Sequence, residues 1–86
     1  MKLSMEMALM ELGNQYIAVP VNRGPVNKLV RLNDTGKVVF NGITEGLEED
    51  AIVRRITEEY AVSESDAYSA VRKVIELLRK EGILEK

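Results

Sequence analysis

The side chains able to do chemistry here are carboxylates and hydroxyls, because the 86 residues include no His and no Cys. That composition removes imidazole general bases, thiolate nucleophiles, disulfides and the nitrogen and sulfur ligands of zinc sites. Two acidic doublets, Glu48-Glu49 and Glu58-Glu59, invite a reading as paired carboxylates. Glycosidic acid and base work needs two carboxyls about 5–10 Å apart across a cleft, one with its pKa raised by burial. Neighbours on the polar face of a helix are solvated instead, so the doublets read as surface charge. No EF-hand spacing stands behind them for an oxygen-only cation site. Ser63 and Ser65 have no His or Lys placed by any local pattern to activate them, and helix capping accounts for both. The six glycines form neither a P-loop nor a dinucleotide fingerprint. The residues therefore specify no catalytic set, no metal site and no cofactor.

With 12 basic and 14 acidic side chains the net charge is −2, which gives no drive toward nucleic acid or anionic lipid. Its distribution is uneven. Between Gly13 and Asn33 stand Arg23, Lys28 and Arg31 with no acid, whereas residues 47–62 hold Glu48, Glu49, Asp50, Glu58 and Glu59 against Arg54 and Arg55. The length fits one domain spanning residues 1–86, and an apolar fraction of 45% with 30% charged describes a folded chain. The first twelve residues contain no sustained apolar segment, and no apolar run approaches the roughly 18 residues of a membrane span, so the chain reads as cytoplasmic with no membrane partner.

The elements that must position any site follow from periodicity. Residues 15–21 alternate Ile17, Val19 and Val21 against the opposite face, and Gly13-Asn14 offers a turn, so residues 7–12 and 15–21 form a hairpin. Residues 22–27, with Gly24-Pro25, read as loop, and residues 28–32 as a third strand of an antiparallel meander. Pro20 has no amide hydrogen, so the middle strand should be fully paired only to about Val19. Three helices follow. Asn33 caps the first, which carries Val38, Val39 and Ile43 until Gly42 to Gly46 break the pattern. Residues 48–60 place Ala51, Ile52, Ile56 and Tyr60 on one stripe behind an acidic first turn. Ser63 to Asp66 resemble a capping box opening the longest helix, which runs to about Glu81 before Gly82, and Ile83 and Leu84 fold back onto the core. The fold class is α+β, three strands and then three helices.

Two surfaces are left unfilled by this plan. On the last helix Ala67, Tyr68, Ala70, Val71, Val74, Ile75, Leu77 and Leu78 cover about 180° of the circumference, more than the roughly 100° that core contact requires. One flank puts Tyr68 and Ile75 beside Arg72 and Arg79, which suits an acidic amphipathic peptide. The third strand is a sheet edge with unpaired amides and carbonyls, flanked by Lys28 and Arg31. An extended peptide could add there as another strand. The same edge could pair with a second copy as a homodimer.

The order Leu32-Asn33-Asp34-Thr35-Gly36, Val39-Phe40, Gly46, Glu58-Glu59-Tyr60-Ala61-Val62 and Leu77-Leu78-Arg79-Lys80-Glu81-Gly82-Ile83-Leu84 resembles the pyrroloquinoline quinone biosynthesis protein D (PqqD) family. The resemblance covers nearly the whole chain. It implies a winged-helix-like fold and a non-catalytic peptide chaperone. Such a chaperone binds the leader of a ribosomally made precursor peptide and presents it to a radical S-adenosylmethionine maturase. It also implies that the precursor is held between the third strand and the third helix. Carried over, the peptide-binding residues are Lys28, Leu29, Val30 and Arg31 on the strand and Tyr68, Val71, Arg72, Ile75 and Arg79 on the helix. Two positions depart from the family's habit: Phe40 stands where Trp is typical, and Ala70 where an acid is common. A winged helix that binds DNA is the alternative, and it is disfavoured because both candidate recognition helices begin with acids, Glu48-Glu49-Asp50 and Glu64-Ser65-Asp66.

Overall fold

The computed structural model describes residues 2–21 and 29–85. Strands β1 (Met7–Leu12), β2 (Gln15–Pro20) and β3 (Val30–Leu32) form one antiparallel sheet in the order β1-β2-β3. Helices α1 (Asp34–Thr44), α2 (Glu49–Glu59) and α3 (Glu64–Lys80) follow. Among the described residues no helix is long and apolar enough to cross a membrane.

The hairpin turns on Gly13, whose φ of 63° is open to glycine and strained for most other residues. Asn14 keeps a negative φ, so Gly13 fills the first central position as a type II′ turn requires. Strand alternation then buries Met7, Ala18, Val30 and Leu32 on one face, against the helices. Pairing of β2 with β1 extends to Pro20, opposite Met7, one residue further than the missing amide suggests. The reason is direction. Val21 N–H donates to the Glu6 carbonyl across β1, so by ladder alternation the Pro20 nitrogen points the other way, toward the β3 side, where described pairing stops at Ala18. Residues 22–27, expected as loop, lie outside the described residues.

Helix α1 is the central element and touches β2, β3, α2 and α3. The Asn33 side chain caps it by accepting from Gly36 N at 2.8 Å. It does not stop at Gly42, as the glycine suggested; it continues to Thr44 and closes on Gly46 at φ 86°. Gly42 is buried against α2, and a Cβ there would lie 2.7 Å from Ile52 Cγ1. It is a contact glycine inside the helix rather than a helix breaker. In α2 the buried stripe is Ile52, Val53 and Ile56, while Ala51, expected inside, is exposed. Ser63 Oγ caps α3 by accepting from Asp66 N. Beyond the left-handed Gly82, Ile83 and Leu84 return to the core, and Leu84 forms a bridge with Leu3 that ties the two ends of the chain together.

Candidate functional site

Helix α3 is held by a central stripe of Ala67, Val71, Ile75 and Leu78, all buried. At 100° per residue the remaining surface divides into two flanks. Tyr68, Arg79, Arg72 and Glu76 lie to one side of the stripe; Val74, Ala70, Leu77, Asp66 and Lys73 lie to the other. Their surroundings differ in kind.

The first flank faces the N-terminus of α2. Tyr68 donates its phenolic hydrogen to the Asp50 carboxylate, and Arg72 Nε donates to Glu49 Oε2 at 3.1 Å. The hydrogen bond to Asp50, then burial, then the Asp50 charge hold the Tyr68 phenol above its ordinary 10.0. Glu48, Glu49, Arg72, Ile75, Glu76 and Arg79 line an open depression of about 390 Å³ here. The expected surplus apolar arc is therefore absent on this side. Val71 is 0% exposed and Ile75 5%, so neither presents an unfilled surface, and the positive charge of Arg72 is met by an acid of the same chain. Periodicity shows that the apolar arc is too wide, but not which half α2 covers.

The second flank faces the junction of β3 and α1. Asn33 and Thr35 on that junction and Asp66, Ser69, Ala70, Lys73 and Val74 on α3 enclose an open cleft of about 410 Å³. One turn further along the same flank, Leu77 keeps 38% of its surface in solvent. Sequence reasoning passed over Ser69, Lys73 and the β3–α1 junction. The signal was available in the second half of the wide apolar arc, where Ala70, Val74 and Leu77 already stood.

The β3 edge completes this side. Since Val21 N–H bonds β1, odd-numbered residues of β2 pair toward β1 and the even-numbered Tyr16 and Ala18 toward β3. Their partners Leu32 and Val30 use their main-chain groups on β2, which leaves the N–H and C=O of Arg31 facing outward. Val30 itself is buried and contributes packing, not contact surface. Arg31 is exposed, and among the described residues it makes no hydrogen bond or ion pair; Leu29, just before the strand, is 54% exposed. Lys28 lies outside the described residues.

The described residues bring no three potential metal ligands together, and no side-chain polar atom among them is buried without a partner. What the arrangement offers is an unpaired strand edge beside a partly apolar helix flank, with Arg31 and Lys73 as its cations.

Comparison with known proteins points the same way. The family model for coenzyme PQQ synthesis protein D matches residues 6–84. No curated protein matches the chain significantly. Among solved structures, TbiB1 in complex with the TbiA(beta) leader peptide superposes with a TM-score of 0.78 at 21% identity, over 99% of this chain and 95% of that one. A lasso peptide synthetase B1 complexed with its leader peptide gives 0.77 at 19%, over 99% and 96%. At such identities the likeness establishes the fold.

Proposed function

Because the chain belongs to the coenzyme PQQ synthesis protein D family, we propose that it is a non-catalytic recognition element. It takes the leader of a ribosomally made precursor peptide as an added strand on β3 and presents it to a modifying enzyme. The observation that carries this reading is the outward-facing main chain of Arg31 standing beside the cleft lined by Ala70, Lys73 and Val74. Main-chain pairing supplies affinity without regard to sequence, and the helix flank supplies selection. The presence of a leader peptide in both similar structures supports the ligand class. The family supports a radical S-adenosylmethionine maturase as the enzyme, in the synthesis of pyrroloquinoline quinone or a related peptide-derived product. On the opposite flank Tyr68 and Arg72 are engaged by Asp50 and Glu49 of α2, which favours the β3-facing flank as the contact surface.

Arg31→Pro tests the reading. Proline at 31 removes only an outward-facing amide, on an edge strand where proline is tolerated, whereas Val30→Pro would break the β2 ladder and empty a core position. A folded Arg31→Pro chain should bind leader at least about tenfold more weakly than Arg31→Gln, which controls for the charge. Equal affinity of the two variants would exclude strand addition. Self-association through the same edge would compete with leader, so sedimentation with and without peptide should show any dimer dissociating as peptide is added.

A further inference from the structure

The ladder parity that exposes Arg31 also dictates what an added strand must look like. For a strand added antiparallel to β3, the residue directly opposite Arg31 forms the hydrogen-bonded pair and places its side chain on the face of the sheet that Arg31 occupies. The two residues flanking it point to the other face, the one shared by Val30 and Leu32, on which the helices are stacked. That is the side on which Ala70 and Val74 of α3 line the cleft with Asn33, the residue that follows β3.

The charge on the Arg31 face is one-sided. From Gly13 to Asn33 the sequence holds three cations and no acid, and the cross-strand neighbours of Arg31 on its face of β2, Gln15, Ile17 and Val19, carry no charge. Among the described residues the guanidinium has no carboxylate partner, so it can take one from an incoming strand as a cross-strand pair. Lys73 at the outer border of the α3 flank adds a second cation that has no partner among the described residues.

Given a leader added as a strand on β3, we propose that its recognised core is an apolar–acidic–apolar triplet, with the acid set opposite Arg31 and the apolar pair seated against Val74 and Leu77. Arg31 then adds a selection by charge to the apolar selection of the helix flank. Arg31 positions the leader's register: slipping by one residue would put the acid against apolar α3 and an apolar side chain beside the guanidinium. The short β3, only Val30–Leu32, makes such a lock necessary, because few main-chain bonds are available to fix register.

A displayed library of random dodecapeptides, selected on the full chain, tests this. Selected peptides are made synthetically and kept when they shift the amides of Leu29, Arg31 and Asn33. Among them, one position should be enriched in Asp or Glu with apolar residues on both sides. The acid-to-base ratio at that position should fall about threefold on Arg31→Gln and about tenfold on Arg31→Glu, which turns attraction into repulsion. Edge-binding peptides with no acid preference, or with a preference that Arg31→Glu leaves unchanged, would overturn the triplet while strand addition stands. Selected peptides that bind without disturbing residues 29–33 would overturn both.

Discussion

Replacing Leu77 by Ala separates the two flanks of α3 in a single experiment. Leu77 keeps 38% of its surface in solvent. For a leucine that is roughly 65 Å², and covering it at about 25 cal/mol per Å² is worth ~1.6 kcal/mol, somewhat more than tenfold in Kd. The fold should lose less than truncating a fully buried leucine costs, since over a third of the residue's surface is already hydrated and alanine favours helix. Val71→Ala supplies the opposite case. Val71 is fully buried, so its truncation should cost about 2 kcal/mol of stability and roughly 10 °C in Tm, and should lower leader affinity only as far as the fold is lost. Fluorescence anisotropy of a labelled leader peptide, run beside thermal unfolding of each variant, gives both quantities. If Leu77→Ala binds as the unmodified chain does while Arg79→Ala weakens binding, the leader lies against the α2-facing flank, and assignment of the site to the β3-facing cleft is refuted.

Gly42→Ala should be destabilising although it introduces a better helix former: the new Cβ falls 2.7 Å from Ile52 Cγ1, and an overpacking cost of about 1–3 kcal/mol outweighs a propensity gain of about 1. Calorimetry showing an unchanged or higher Tm would mean that α1 and α2 have room to spare. Ser63→Ala, which removes the acceptor for Asp66 N, should lower stability by about 1 kcal/mol without affecting leader affinity, as urea unfolding and anisotropy will show. Tyr68 should ionise above its ordinary 10.0, and Asp50→Asn should bring it back down in a phenolate absorbance titration. With the folded pKa raised, the bond to Asp50 contributes fully below about pH 10 and is lost as pH rises through the folded value, so stability should decline in alkali and less so in Asp50→Asn. A gel shift at physiological salt should find no site-specific DNA binding, because α2 and α3 both begin in acids.

Local chemistry made much of the architecture readable. Asn33 and Ser63 cap the helices they were expected to cap, because each needs only its own side chain and an amide three residues on. Gly13 and Gly82 mark a turn and a helix end for the same local reason. Gly42 misled because its role is set by Ile52, a residue ten positions away that only tertiary packing brings within contact. The candidate site shows the same division. Alternation along β2 and β3 makes the edge visible in sequence. The choice between the two halves of an over-wide apolar arc on α3 depends on where α2 docks, and no periodicity within α3 contains that. Tyr68 and Arg72 looked free because Asp50 and Glu49, their partners, lie 18 and 23 residues away.

Hydrogen exchange at one amide tests strand addition most directly. In the free chain Val30 and Leu32 donate to β2, whereas Arg31 N–H faces solvent on the open edge. Exchange measured by NMR should therefore find Arg31 fast beside two protected neighbours. On saturation with a leader peptide, Arg31 should slow to match them. If Arg31 stays fast at saturating peptide while amides of Glu49 to Tyr60 become protected, the leader does not extend the sheet and the β3 edge is not its site.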